Sequence, residues 1–335
     1  MTKSLITKSL ITRRAMLASG AALLSGAASG AWAQDAYPTR PVRLVIGFPP
    51  GGASDAVARL VAAEMSKTLG QQIVVESKPG ASGNIATQSV LGSPADGYTI
   101  YLAQINLATN PFIMTDIGYD PLKDLQMVSQ FISIPVVMLT NPKSGLLTMK
   151  DVLAAAQAKN GELKFGGVYG TSSHLCAEIL ALDQKFKFKL VPYRGGSLAV
   201  QALMSGEVDV VFDLMSGPLG GLIDAGQLNA VAIMQNSPVK GLEKIPAAST
   251  LGITPAGFFR SWMGLCVKAG MPAPIIEKLH ATTLAALAKP DLREKLEQLG
   301  NEVITSVTPA EFQKYYLQEI TRFGELIKTI GYKPQ

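Results

Sequence analysis

Apolar residues in this chain switch repeatedly between two periods. Val42–Phe48 is an almost continuous apolar run, as expected of a strand buried on both faces. From Asp55 the spacing becomes helical: Val57, Leu60, Val61 and Met65 share one face, with Ser54 placed as N-cap and Gly70 as terminator. Gln72–Glu76 and Tyr98–Ala103 read as further strands around a helix near Ile85–Leu91. Such a βαβαβ run predicts a parallel sheet with right-handed crossovers.

The alternation resumes after a stretch with no clear period. Ile132–Thr140 is a long strand candidate stopped by Asn141-Pro142, and Thr148–Lys159 a helix with Thr148 as N-cap and Asp151 three residues on. Strands over Leu163–Val168, Lys187–Val191, Val208–Phe212 and Leu228–Met234 alternate with helices reaching about Leu182, near Ser197–Met204, and ending at Gly226. Asn236–Phe258 carries loop residues. Phe259–Lys268 is a strand, and helices follow over Pro272–Ala288, Pro290–Leu299 and from Thr308 toward Gly331. The last begins with a capping box, Thr308-Pro-Ala-Glu311. The pattern predicts a two-domain α/β protein.

Residues 1–33 are a targeting segment. Lys3, Lys8, Arg13 and Arg14 form a basic start, Ala15–Gly30 is apolar and small, and Ala31-Trp32-Ala33 supplies a cleavage site. Thr12-Arg13-Arg14-Ala15-Met16-Leu17 leaves the twin-arginine and general secretion routes both open. Gln34 stands where a lipoprotein needs cysteine. Cleavage after Ala33 predicts a periplasmic protein without a membrane anchor. It also lowers the formal charge from +5 to +1, because four of the 30 basic residues and none of the 25 acidic ones lie in the leader. That argues against a nucleic-acid surface. Cys176 and Cys266 both sit in apolar runs, which predicts two buried thiols rather than a disulfide. His174 and His280 are the only histidines, so no metal site and no cofactor is expected.

The candidate chemistry lies in the loops. In Phe48-Pro-Pro-Gly-Gly-Ala-Ser-Asp55 a strand runs through glycines into a helix, which aims free N–H groups at the positive end of the helix dipole. Phe48, Pro50, Gly51, Gly52, Ala53 and Asp55 are its candidate ligand contacts; Asp55 could equally serve the helix start. Gly80, Ala81, Ser82, Gly83 and Asn84 form a second such loop. Tyr169, Gly170, Thr171, Ser172 and Ser173 form a third, with hydroxyls added. Arg194, beside Gly195, could pair with a carboxylate, and Asp213 could accept from a ligand amine or hydroxyl or hold a loop N–H. Gln104 and Asn106, at the end of a strand, are weaker candidates. His174 beside two serines raises the alternative of a serine hydrolase, although adjacent residues present nucleophile and base to each other poorly.

Together and in order, Phe48-Pro-Pro-Gly-Gly-Ala-Ser-Asp55, Lys78-Pro-Gly-Ala-Ser-Gly-Asn84, Asp96-Gly-Tyr-Thr99, Gly170-Thr-Ser-Ser-His-Leu175, Val191-Pro-Tyr-Arg-Gly195, Gly206-Glu-Val-Asp209 and Ala225-Gly-Gln-Leu228 resemble the Bug family. These are extracytoplasmic solute-binding receptors of tripartite tricarboxylate transporters. The resemblance implies a two-lobed type II periplasmic-binding-protein fold with the ligand between the lobes. One lobe would comprise 34–135 plus 236–335 and the other 136–235. It implies a monomer that captures a small organic carboxylate without chemistry and delivers it to membrane transporter subunits. The first two loops would pinch one carboxylate through backbone groups and waters. A ligand sensor for a two-component receptor is the alternative role.

Overall fold

The computed structural model describes residues 37–158, 161–253, 260–332 and 334. The predicted leader and its cleavage site lie outside them, as does the end of the Asn236–Phe258 loop. The fold itself is built from Arg40 onward.

The first predicted βαβαβ run is present. β1 (Val42–Ile46) leads to α1 (Ala53–Leu69), β2 (Ile73–Ser77), α2 (Asn84–Leu91) and β3 (Thr99–Gln104). β1 pairs parallel with both β2 and β3. Gly70 closes α1 in the left-handed conformation, φ 76°, its N–H donating to Ser66 O. The start of α1 corrects the sequence reading. Gly52, not Ser54, is the N-cap, and no side chain caps the helix there.

Two elements follow that the pattern missed, one wholly and one in part. α3 (Asn106–Ile113) contains Pro111, and β4 (Leu125–Thr140) begins seven residues before the predicted Ile132. Ser129 and Gln130 interrupt the apolar run in β4, but both are buried, so polarity hid a fully interior strand. β4 is the spine of the molecule. Its first part, up to Pro135, pairs antiparallel with β9 (Arg260–Lys268), and Ile132 and Ser133 also pair with β10 (Glu302–Val303). Its second part, from Val136, pairs antiparallel with β7 (Val210–Leu214) and, from Val137, with β8 (Asn229–Ile233). One strand therefore belongs to two sheet halves: β2-β1-β3-β9-β4 on one side, β4-β7-β5-β6 on the other.

The second half holds β5 (Lys164–Gly167) and β6 (Lys189–Pro192) parallel to each other, with β7 parallel to β5. Around it pack α4 (Met149–Ala158), α5 (Ser172–Asp183), α6 (Gly196–Ser205) and α7 (Gly217–Asp224). Val137, Leu139, Leu203, Val211 and Ile233 form its separate core. The chain then returns through β9 to the first half, where α8 (Ala273–Leu287), α9 (Pro290–Gln298) and α10 (Pro309–Thr329) complete the fold. The capping box of α10 forms as predicted: Glu311 N–H donates to Thr308 Oγ1 at 3.2 Å, and Val307 N–H to Glu311 Oε2 at 2.7 Å. α10 covers the first part of β4 and packs on α3, burying Phe323 and setting the buried Phe312 and Tyr316 beside Trp262.

Candidate ligand-binding site

β1, β3, β5, β6 and β7 all deliver the loops after their carboxyl ends to one cavity, where open α/β sheets place ligands. It contains about 570 Å3 of empty space, some of it open solvent. From the first half come Phe48, Pro49, Gly52, Ala53, Ser54, Gln104, Ile105 and Ser261; from the second, Val168, Thr171, Ser172, Ser173, Gly196, Ser197, Asp213 and Leu214.

Three helices begin at its wall. α1 starts after Gly52, α5 after Thr171 and α6 after Gly195, and at none of these N-caps does a side chain satisfy the exposed N–H groups. α1 and α5 are therefore left with first-turn donors and the positive end of the dipole toward the cavity, whereas the Asp213 carboxylate stands against the start of α6 at Gly196. Thr171 would cap in the ordinary way, but its Oγ1 instead donates to Val168 O at 2.7 Å and lies 2.9 Å from Ser173 Oγ. Ser172 and Ser261 are each 2% exposed, and neither Oγ has a partner. Ser54 Oγ accepts from Gln104 Nε2 at 2.6 Å, leaving Gln104 Oε1 unpartnered. Among the described residues lining this space, Asp213 has the only ionisable side chain. Leu214 N–H donates to its Oδ1 at 2.8 Å, and burial pushes its pKa up to about 7.

A neighbouring recess, about 760 Å3 with open solvent included, shares Val168 with the first. Gly80, Ala81, Ser82, Tyr169 and Arg194 line it, with Ile113, Met114 and Tyr193 as apolar wall. Ala81 and Ser82 sit at φ 45° and 47°, a left-handed conformation that costs non-glycine residues energy. Hydrogen bonds hold them there. Ser82 Oγ donates across the cleft to Tyr169 O, and Asn110 Nδ2 donates to Ser82 O at 3.2 Å. Thr109 Oγ1 makes a second crossing, to Gly170 O at 2.7 Å.

The remaining sequence candidates lie outside both spaces. Pro50 and Gly51 face solvent. Asp55 turns back on its own loop, accepting from Gly51 N–H at 3.1 Å and pairing with Arg59 at 2.9 Å. Gly83 packs against Asn106, where a Cβ would fall 2.6 Å from Nδ2, and Asn84 Nδ2 donates to Ile117 O at 3.2 Å. Gly170 and Gly195 press against the opposite half: a Cβ on Gly170 would overlap Ile113, and one on Gly195 would lie 2.7 Å from Pro49 Cδ.

His174 has no serine to serve. It is 1% exposed; its Nδ1 accepts from Gly170 N–H and its Nε2 meets Glu178 Oε1, each at 3.2 Å. Tyr169 stacks on the ring, centroids 5.0 Å apart. Both nitrogens are occupied in holding the Gly170–Ser173 loop to its helix. That geometry provides no general base.

Several lining residues escaped the sequence reading. Gly196 and Ser197 carried the same strand–glycine–helix signal as the first loop. Ser261, at the start of a strand 156 positions beyond Ile105, had no local signal, and the antiparallel pairing of β9 with β3 and β4 brings it here.

The sequence profile described as "Tripartite tricarboxylate transporter family receptor" matches residues 57–332. Among solved structures, the periplasmic binding protein BugD superposes with a TM-score of 0.85 at 29% identity, covering 89% of this chain and 100% of BugD. Rpa4515 of R. palustris, solved with adipate, gives the same TM-score, identity and coverage. MatC (Rpa3494) of Rhodopseudomonas palustris, solved with bound malate, gives 0.80 at 28% identity over 87% of this chain and 100% of MatC. The fold is that of the two-lobed periplasmic binding proteins.

Proposed function

The chain belongs to the family of tripartite tricarboxylate transporter receptors, the Bug proteins, and we propose that it captures a small organic carboxylate in this cavity. It then hands the ligand to the membrane subunits of a transporter. The reading includes export to the periplasm and a monomeric receptor. The observation that carries it is the meeting of three helix N-termini without side-chain caps, from both sheet halves, around a space with hydroxyls and, among the described residues lining it, no cationic side chain. Such a wall attracts negative charge through dipoles and N–H groups. It does so without a fixed guanidinium that would set one ligand geometry.

The two sheet halves act as the lobes, 34–135 with 236–335 and 136–235. The hinge lies where β4 passes from one to the other at Pro135–Val136. The bonds from Ser82 to Tyr169 and from Thr109 to Gly170 belong to the closed form. Adipate in Rpa4515 and malate in MatC are the kind of ligand this wall suits.

Thermal unfolding of the mature protein against a panel of carboxylates tests the reading. An acid at about 100 times its Kd should stabilise by about 2.7 kcal/mol, and NMR should recover it unchanged. Amides of the same acids should not stabilise. Equal stabilisation by acid and amide would overturn the anion-capture mechanism.

A further inference from the structure

The residues that follow α10 reach the loop that opens α5. α10 closes with a Schellman motif: Gly331 is left-handed, φ 66°, its N–H donates to Lys328 O at 3.1 Å, and Tyr332 N–H donates to Ile327 O at 3.2 Å. The turn carries Ile330 and Tyr332 from the first half onto α5, in the second. Ile330 lines a recess with Glu178, Ala181 and Leu182 of that helix. The Tyr332 ring crosses His174 at 72°, centroids 5.5 Å apart, and lies tilted against Tyr169 at 5.4 Å. Tyr169 and His174 stack on each other at 5.0 Å. All three separations fall in the range of about 4.5–7 Å over which aromatic rings attract.

Two features of α5 depend on this cover. Nine of its 12 residues are buried, so it lacks the polar stripe of a surface helix. His174, 1% exposed, must also keep one ring orientation: Nδ1 accepts from Gly170 N–H, and Nε2 then carries the hydrogen that meets Glu178 Oε1. A ring that turns away releases Gly170 N–H and loosens the loop. That loop also supplies Tyr169 O and Gly170 O, the acceptors for Ser82 and Thr109 of the first half. Tyr332 lines neither the cavity nor its neighbouring recess, so its effect on a ligand passes through the loop. Its Oη is buried and has no partner among the described residues. The ring, not the hydroxyl, is what the contact uses.

We propose that Tyr332 is a positioning residue for ligand capture: from the first half it fixes the His174 ring, and through it the Gly170–Ser173 loop at the start of α5. The proposal rests on carboxylate capture in the cavity that this loop lines.

Tyr332→Ala, Tyr332→Leu and Tyr332→Phe variants of the mature protein test this. Each would be titrated calorimetrically with adipate, with malate and with whichever acid of the thermal panel stabilises the parent most. The ring nitrogen NMR signals of His174 would be recorded alongside. His280 is the only other histidine in the chain, so His280→Gln assigns the signals. The parent should carry its His174 hydrogen on Nε2. In Tyr332→Ala the signals should move toward an average of the two tautomers, and affinity should fall at least about tenfold, or about 1.4 kcal/mol. Tyr332→Leu keeps apolar bulk without a flat ring; it should show the same two losses, and it decides the question if alanine unfolds the protein. Tyr332→Phe should restore both quantities. Parental affinity and parental signals in the folded leucine or alanine variant would overturn the proposal. So would a change in one of the two readouts without the other, since a purely structural loss would not couple them. If no acid of the panel binds the parent, carboxylate capture fails and this proposal with it, a result visible in the unmodified protein before any variant is compared.

Discussion

Replacing Gly195 by alanine should hold the cleft open without touching the ligand. Gly195 has φ −171° and ψ 158°, an extended backbone that alanine adopts freely, so the change carries no local strain. The added Cβ meets the opposite half. It would lie 2.7 Å from Pro49 Cδ and 2.9 Å from Pro49 Cγ. Carbon atoms rest at about 3.5–4.0 Å, so the two loops must separate by roughly 0.8 Å or more. A proline ring cannot rotate away as a flexible side chain can. Overpacking of this kind costs about 1–3 kcal/mol, and here the cost falls on the closed form alone. Ligand affinity should therefore drop about 5- to 150-fold, with the ligand-free protein unfolding within a few degrees of the parent. Calorimetric titration measures the first quantity and small-angle X-ray scattering the accompanying loss of ligand-induced compaction. Pro49→Ala removes the two clashing atoms, so the double variant should regain most of what Gly195→Ala loses; that coupling separates closure from any direct effect of Pro49 on the cavity. Parental affinity and parental compaction in Gly195→Ala would refute the reasoning.

Ser172→Ala should weaken ligand binding by about 1.5–3 kcal/mol, the range for a hydrogen bond to a charged group, while sparing ligand-free stability, because its Oγ has no partner to lose. Thr171→Ala should lower stability as well, since it breaks the bond to Val168 O; urea titrations with and without ligand separate the two. In the ligand-free protein Asp213 holds its proton to about pH 7, against about pH 3.9 in the unfolded chain. The native state thus binds more protons between these limits, and stability should fall as pH rises from about 4 through 7. Asp213→Asn should remove this component, gaining on the parent by up to about 4 kcal/mol for a three-unit displacement, less in proportion to the water its carboxyl meets in the cavity; denaturation midpoints at pH 4.5 and 7.5 measure the gain, and a pH-independent difference would refute it. Ser82→Ala should reduce ligand-induced closure by removing the bond to Tyr169 O, read by the same scattering experiment.

Elements with one apolar face or none exposed were legible in the sequence, because burial and period coincide there: β1, α1 and β3 fall where the pattern puts them, as does the capped start of α10. β4 was half-legible. Its second part, Val136–Thr140, is apolar on both faces, while its first part holds Ser129, Gln130 and Ser133, all buried. Buried polar positions look like solvent-facing ones in a single sequence. α3 was missed for a related reason: Asn106, Thr109 and Asn110 break the apolar period of a helix, yet all three are buried. Two of them reach outward from the helix, Thr109 to Gly170 O and Asn110 to Ser82 O. Of these bonds, the one from Thr109 also joins the halves.

Glycines show why the site was only partly readable. In the sequence Gly52, Gly170 and Gly195 are alike, each preceding a helix after a strand, and each suggests close approach of a ligand to the backbone. The structure separates three causes. Gly170 is left-handed, φ 71°, and also has no room beside Ile113. Gly195 has an unremarkable backbone but no room beside Pro49. Gly52 has both an ordinary backbone, φ −89°, and space, with nothing nearer to a Cβ than Pro49 O at 3.9 Å. Neither strain nor the facing half requires glycine at position 52. What distinguishes it is that it lines the cavity at the uncapped start of α1. Its missing side chain therefore bears on the ligand alone, so Gly52→Ala should leave ligand-free stability intact and show its cost only in titration with an acid. The converse holds for Gly170, where alanine should destabilise the protein with or without ligand.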